Sequence, residues 1–233
     1  MLPLKDDVPS RSFPVFVTLL IAANVAAFLY QVSLEFGAAG PVRGAANAFV
    51  TEFGAVPCRL TAHCPVGEAP APVLTIFTSM FLHGGFLHIA GNMLYLWIFG
   101  NNVEDMLGHL RFLVLYLLSG VGAALTQIVM NPDSRVPMVG ASGAISGVLG
   151  AYLFLFPHAR VLTLLMFGFF IRFVHVPAII VLGFWIVMQV LNGLISVGRM
   201  GDEGGVAWFA HIGGFAAGVM LLFLLRPRGT RRL

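Results

Sequence analysis

Six stretches of the chain run nearly free of charge, near residues 13–34, 73–99, 112–130, 136–156, 176–197 and 206–225. Each approaches the ~20 residues that an α-helix needs to cross hydrocarbon. The pattern predicts an all-α, polytopic membrane protein with six transmembrane helices. One apolar run does not fit: Val161 to Ile171 is too short to span and ends at Arg172, with His175 beyond. It reads as interfacial or packed against the bundle, since a seventh crossing would make the topology odd.

Composition points the same way. Of 233 residues, 58% are hydrophobic and 10% are charged, against roughly 25% charged in soluble domains. A soluble globule could not cover so much apolar surface, so the bulk solvent is lipid. The net charge of +3 is small and the basic residues sit mainly near helix ends, which leaves no patch suited to nucleic acid. The expectation is a single membrane domain over residues 1–233, with the first span retained because no strongly basic leader or cleavage site precedes it.

Basic residues also set the sides. With both termini cytoplasmic, that side holds Lys5, Arg11, Arg111, Arg160, Arg172, Arg226, Arg228, Arg231 and Arg232, and the opposite side holds only Arg43, Arg59, Arg135 and Arg199. The bias follows the positive-inside rule, and six crossings return the chain to its starting side. A short, basic-tailed chain with no targeting extension suggests a bacterial inner membrane. The long loop near 35–72 then lies outside and holds both cysteines, Cys58 and Cys64, with His63 beside them. A disulfide, two free thiols, and weakly a metal site are all compatible with that spacing.

This topology puts spans two, four and six in the same direction, with polar residues in the outer half of each. Span two carries His83, His88 and Asn92; Ser142 opens span four, and His211 opens span six. Polar groups are costly in hydrocarbon unless partnered, and the simplest partner for Ser142 is His211. A paired alcohol and imidazole sheltered from bulk water is the minimal equipment for acyl transfer. His88 and Asn92, four apart, project from one helix face, whereas a helical His83 is rotated away from it. Gly143, Gly147 and Ala151 repeat every fourth residue in span four, and His211, Gly214 and Gly218 share a face in span six. Small residues let helices approach closely in lipid, so spans four and six are predicted to touch. Taken singly, each feature has an ordinary explanation: a back-bonded serine, a packing glycine, a satisfied histidine. Their shared depth is what argues for a site.

At the level of motifs the chain resembles the rhomboid intramembrane serine proteases over nearly its whole length. Gly140-Ala141-Ser142-Gly143 is similar to the family's G-x-S-G nucleophile segment, and the run from Ala210 through Gly218 to its A-H-x-x-G-x-x-x-G base segment. His83, His88 and Asn92 match its H-x-x-x-x-H-x-x-x-N pattern, and Gly100-Asn101-Asn102-Val103-Glu104 resembles the acidic turn that follows. The resemblance implies a six-helix fold, a dyad of Ser142 as nucleophile and His211 as base, and no cofactor or metal. It further implies an oxyanion hole made by His88, Asn92 and the Ser142 backbone N–H. Some members stack a tyrosine, four residues after the nucleophile, on the histidine; here Ser146 occupies that place. No Asp or Glu lies at the dyad's depth, so packing or a neutral hydrogen bond must orient His211. Glu104 is expected to close the turn after span two or to pair with an arginine, and Gly201 to Gly205 to form a mobile cap. The expected function is cleavage of membrane-protein substrates in the bilayer. The competing expectation is a catalytically silent relative that binds transmembrane helices; a metalloprotease or transporter lacks its H-E-x-x-H motif or its intramembrane carboxylates.

Overall fold

A computed structural model describes residues 1–36, 44–65, 70–167, 170–197 and 206–226. Helices dominate it. Four are long and apolar enough to cross a membrane: Val15–Phe36, made of α1 (Val15–Ser33) and a closing 3-10 turn; α7 (His109–Met130); α9 (Ala178–Val197); and α10 (Trp208–Leu225). Their outward side chains are bare, with Leu110 72%, Val129 76% and Leu224 79% exposed. A surface of that kind is stable against acyl chains and not against water, so the protein is an integral membrane protein.

The second predicted span, 73–99, is not one straight helix. It divides into α4 (Pro72–Thr78) with a 3-10 turn to Phe81, then α5 (Phe86–Tyr95), which runs through a π-helical turn (Leu96–Gly100) into α6 (Asn101–Leu107). The two halves meet at 82°. A break of this kind exposes backbone polar groups that lipid cannot satisfy. Gln31 of α1 satisfies them: its Nε2 donates to the His83 carbonyl at 2.7 Å, and its Oε1 accepts the His83 N–H at 3.3 Å. The bend therefore has a dedicated polar partner on the neighbouring helix, which hydrophobicity alone does not reveal.

The fourth predicted span, 136–156, is also shorter than expected. Its helix, α8, covers Ser142–Leu155, because the residues before it are held extended. Met138 exchanges both backbone hydrogen bonds with Ala55, at 2.8 and 3.1 Å, and the Gly140 N–H donates to the Ser79 carbonyl at 2.9 Å. Gly140 has φ +119°, a conformation that a residue with a β-carbon resists. At 14 residues α8 is about 21 Å long, short of a full hydrocarbon thickness. It lies in the centre of the molecule, packed against α7 and α10, with most of its residues from Ala144 to Leu155 buried. Among the described residues the apolar helices are thus four long ones, one bent pair that could make a fifth crossing, and one shorter buried helix.

The fold is not all-α. Arg160–Phe167 (β2) and Phe170–Pro177 (β3) form an antiparallel hairpin, and Leu2–Asp6 (β1) pairs antiparallel with β2 at its other edge. The segment expected to lie at the interface is part of this three-stranded sheet. Val, Thr and aromatic residues favour extended backbone, and Val161 and Thr163 point inward at period two, both 0% exposed. Pro177 closes β3, so the fifth span begins at Ala178 and not at residue 176. Beneath the sheet, Asp6 accepts hydrogen bonds from the Tyr152 hydroxyl and the Asn102 amide, which ties the N-terminal strand to α8 and α6.

Glu104, 0% exposed, accepts the backbone N–H groups of Phe16 (2.9 Å) and Val17 (2.8 Å) and contacts His109 Nδ1 at 2.6 Å. It caps the start of α1, where unsatisfied amides and the helix dipole favour a carboxylate. Among the described residues its side-chain partner is this histidine and not an arginine.

Candidate active site

Two helix starts converge at the centre of the molecule. Ser142 is the first residue of α8 and His211 lies in the first turn of α10. His211 Nε2 stands 2.9 Å from Ser142 Oγ. The glycines explain how helices can come so close. A β-carbon on Gly214 would lie 2.1 Å from the Gly143 carbonyl oxygen, and one on Gly218 would lie 2.1 Å from that of Gly147. The α10 backbone rests directly on the carbonyls of α8. Gly143 and Gly147 turn their own α-carbons towards α7, where an added β-carbon would meet Ala123 at 2.7 Å and Ser119 at 2.1 Å. The α8 glycines therefore serve two interfaces at once. The ordinary explanation for a membrane serine holds for Ser146, whose Oγ donates back to the Ser142 carbonyl at 2.6 Å.

α5 forms the facing wall. A β-carbon at Gly140 would sit 2.8 Å from His88 Nε2 and 3.6 Å from Asn92 Nδ2, so both side chains reach the turn that leads into Ser142. The Gly84 N–H donates to His88 Nδ1 at 3.3 Å. With Nδ1 accepting, the proton of a neutral His88 is on Nε2, which faces the site as a donor. Asn92 Nδ2 is buried and has no partner among the described residues, a second donor aimed into the same space. His83 is not on this helix: it occupies the break before α5, 0% exposed, its ring edge-on to His88 at 5.2 Å between centroids.

These groups line a cavity of about 1240 Å³, shared by Ser142, His211, His88, Asn92, Trp185 and Gln127 among others. The cavity exceeds the ~300–1,000 Å³ typical of small-ligand pockets and has room for a length of polypeptide. Its far rim is the extended segment before Ser142, which α3 (Pro57–Leu60) and the loop after it hold in place. The Cys58 N–H donates to the Ser134 carbonyl at 3.0 Å, and Thr61 Oγ1 donates to the Pro132 carbonyl at 2.9 Å. Cys58 and Cys64 form a disulfide across this short loop, and His63 bonds Asp133 at 2.6 Å.

Three glutamines escaped the sequence reading. Gln31 supports the bent span. Gln127 of α7 accepts the Ala210 N–H at 3.2 Å, at the start of α10. Gln189 of α9, 6% exposed, places its Oε1 2.8 Å from His211 Nδ1. Trp185, one turn earlier on α9, lies against the His211 ring with centroids 5.7 Å apart and planes 39° apart. The signal was available: a glutamine inside an apolar span is costly and implies a partner. The expected glycine cap, Gly201 to Gly205, lies outside the described residues.

Comparison with known proteins follows the motifs. The Rhomboid domain family model matches residues 70–228, well over half of the chain. "Rhomboid protein 1, mitochondrial" of Saccharomyces cerevisiae is 34% identical over 151 residues, covering 63% of this chain and 40% of that protein. "RHOMBOID-like protein 1" of Arabidopsis thaliana is 30% identical over 206 residues, covering 88% of this chain and 46% of its own length. "Rhomboid protease GluP" of Bacillus subtilis is 36% identical over 146 residues, 63% of this chain and 25% of that protein. The chain thus spans less than half the length of each of these three relatives. With the Rhomboid domain model matched over residues 70–228, the chain belongs to the rhomboid family.

Proposed function

We propose that this protein is an intramembrane serine endopeptidase that cleaves membrane-protein substrates through Ser142 and His211. The observation that carries the proposal is the 2.9 Å contact between His211 Nε2 and Ser142 Oγ, on the wall of a cavity large enough for a peptide. Among the relatives, "Rhomboid protease GluP" and "Putative rhomboid protease YdcA" of Bacillus subtilis carry that activity in their names. In this mechanism Ser142 Oγ attacks the scissile carbonyl carbon while its proton passes to His211 Nε2. The tetrahedral oxyanion is met by His88 Nε2–H, Asn92 Nδ2–H and the Ser142 backbone N–H, which as a helix-start amide has no partner within its own helix. Collapse breaks the peptide bond and returns the proton from His211 to the departing amine. Water, deprotonated by the same imidazole, then releases the acyl group from Ser142.

A substrate helix has all its backbone groups hydrogen-bonded in lipid, so it must unwind locally before its carbonyl can be attacked. Segments with helix-breaking or small residues are therefore the favoured substrates. The proposal includes the family's six crossings, with the bent pair and α8 each passing through the bilayer as parts of one domain over residues 1–233. Both termini then face the cytoplasm of a bacterial cell and the site opens towards the outer leaflet. Reconstitution with a panel of tagged single-span substrates tests this, together with labelling by a serine-directed phosphonate. Cleavage and labelling confined to Ser142 are expected. A protein that captures substrate helices without cleaving them or reacting with the phosphonate would instead be the silent helix binder.

Asn92 offers a sharper check on the oxyanion hole. Its free Nδ2 contributes nothing to another protein group, so Asn92→Ala should leave the fold unchanged. Loss of one such donor lowers kcat by about 10²–10³-fold. KM should hold, and a kcat within twofold of wild type would remove Asn92 from the mechanism.

A further inference from the structure

We infer that Gln189 is a positioning residue that fixes the tautomer of His211, with Trp185 flanking the imidazole ring, so that the alcohol–imidazole pair has a neutral third member. The argument begins at a backbone carbonyl. Gln189 Nε2 lies 3.3 Å from the Trp185 carbonyl oxygen, and a carbonyl can only accept. The amide nitrogen of Gln189 must therefore face Trp185, which turns Oε1 towards His211. Oε1 in turn can only accept, so the His211 Nδ1 at 2.8 Å from it carries a proton. A neutral imidazole has one N–H; with Nδ1 protonated, Nε2 is a bare acceptor. The Ser142 hydroxyl, 2.9 Å away, can then only donate to it. One polar direction runs from Ser142 through His211 and Gln189 to the α9 backbone. It leaves Nε2 in the state required to take the serine proton.

The same arrangement answers two gaps left by the sequence. Ser146, where a stacking tyrosine stands in some relatives, is too small to reach the ring; Trp185 covers it from α9, with centroids 5.7 Å apart. No carboxylate is needed to orient the base. A glutamine, being neutral, avoids placing an uncompensated charge in a buried position, where Gln189 is only 6% exposed. The glutamine and tryptophan are four residues apart, so one face of α9 carries both supports.

The catalytic consequence rests on the serine-protease reading above; the tautomer does not, and this separates the two in experiment. The full chain is reconstituted in phosphatidylcholine–phosphatidylglycerol vesicles as wild type, Gln189→Leu and Gln189→Glu. Gln189→Leu keeps the volume but removes the acceptor, and should lower kcat roughly tenfold, the equivalent of one hydrogen bond, with KM within about twofold. Gln189→Glu retains the acceptor and should recover most of that loss. A residue that merely packs would behave in the opposite order, since a carboxylate buried without function is worse than leucine. ¹⁵N NMR of histidine-labelled protein, assigned by the signal lost in His211→Asn, reads the tautomer directly. It should report Nδ1–H in wild type and a mixture in Gln189→Leu. An Nε2–H tautomer in the wild type overturns the inference, as does wild-type kcat in Gln189→Leu. Absence of Ser142-dependent cleavage would remove the protease reading while leaving the NMR result to decide the role of Gln189.

Discussion

Ser142→Ala should reduce cleavage of a reconstituted transmembrane substrate by at least about 10⁴-fold, to the background of the uncatalysed bond. His211→Ala should do the same, and the double variant should be no worse than either. Nucleophile and base act in one step, so removing one leaves the other with nothing to do. The two single variants differ in their effect on the fold. Among the described residues Ser142 Oγ has one partner, His211 Nε2, and its loss removes one hydrogen bond, about 0.5–1.5 kcal/mol. His211→Ala leaves Gln189 Oε1 buried without its donor and also uncovers Trp185, at about 1–3 kcal/mol for the orphaned group alone. Ser142→Ala is therefore the cleaner variant, and a thermal melt in detergent alongside the assay separates lost chemistry from lost fold. Undiminished cleavage by purified Ser142→Ala protein would end the serine mechanism outright.

Much of the site could be read from residue types because it is built from residues that lipid penalises. Serine, histidine and asparagine inside apolar runs each imply a partner, and their shared end of three helices narrows who the partners are. Glycines at every fourth position likewise announce a close helix contact, which Gly214 on Gly143 and Gly218 on Gly147 make through backbone atoms. What could not be read has equally physical reasons. The bend at Leu82–Gly85 depends on Gln31, fifty-two residues away from His83 along the chain, and no local pattern carries that bond. The late start of α8 depends on pairing between Met138 and Ala55, again non-local. The β2–β3 hairpin was missed because a short apolar run such as the one from Val161 to Ile171 cannot be assigned to strand or helix by periodicity alone. Its extended form becomes secure only with β1 paired along its other edge, from the far N-terminus. Gln189 was missed for a different reason. It lies on a span that carries none of the motif residues, so no motif points to the residue whose Oε1 meets His211 Nδ1.

Gly214→Ala, the smallest substitution available at that position, should cost activity about 10²-fold and lower the melting temperature by several degrees. The added β-carbon would be 2.1 Å from the Gly143 carbonyl oxygen and 3.3 Å from the Ala123 β-carbon. The first obstacle is backbone and cannot rotate away, so α10 must move off α8 by about 1 Å to restore an ordinary carbon–oxygen distance. Gly143 adjoins Ser142, and Gly214 is less than one turn from His211, so the displacement falls on the 2.9 Å pair itself. Misplacing reacting groups by about 1 Å is worth roughly 10² in rate, and overpacking of this kind costs about 1–3 kcal/mol in stability. Gly183→Ala on α9 is the matched control, because none of the described residues lies within 4 Å of its β-carbon. There the higher helix propensity of alanine, up to about 1 kcal/mol, acts alone and should hold or raise the melting temperature. The same chemical change should therefore have opposite signs at two glycines of one protein. If Gly214→Ala matched Gly183→Ala in both activity and melting temperature, close approach of α8 and α10 would not be what brings Ser142 to His211.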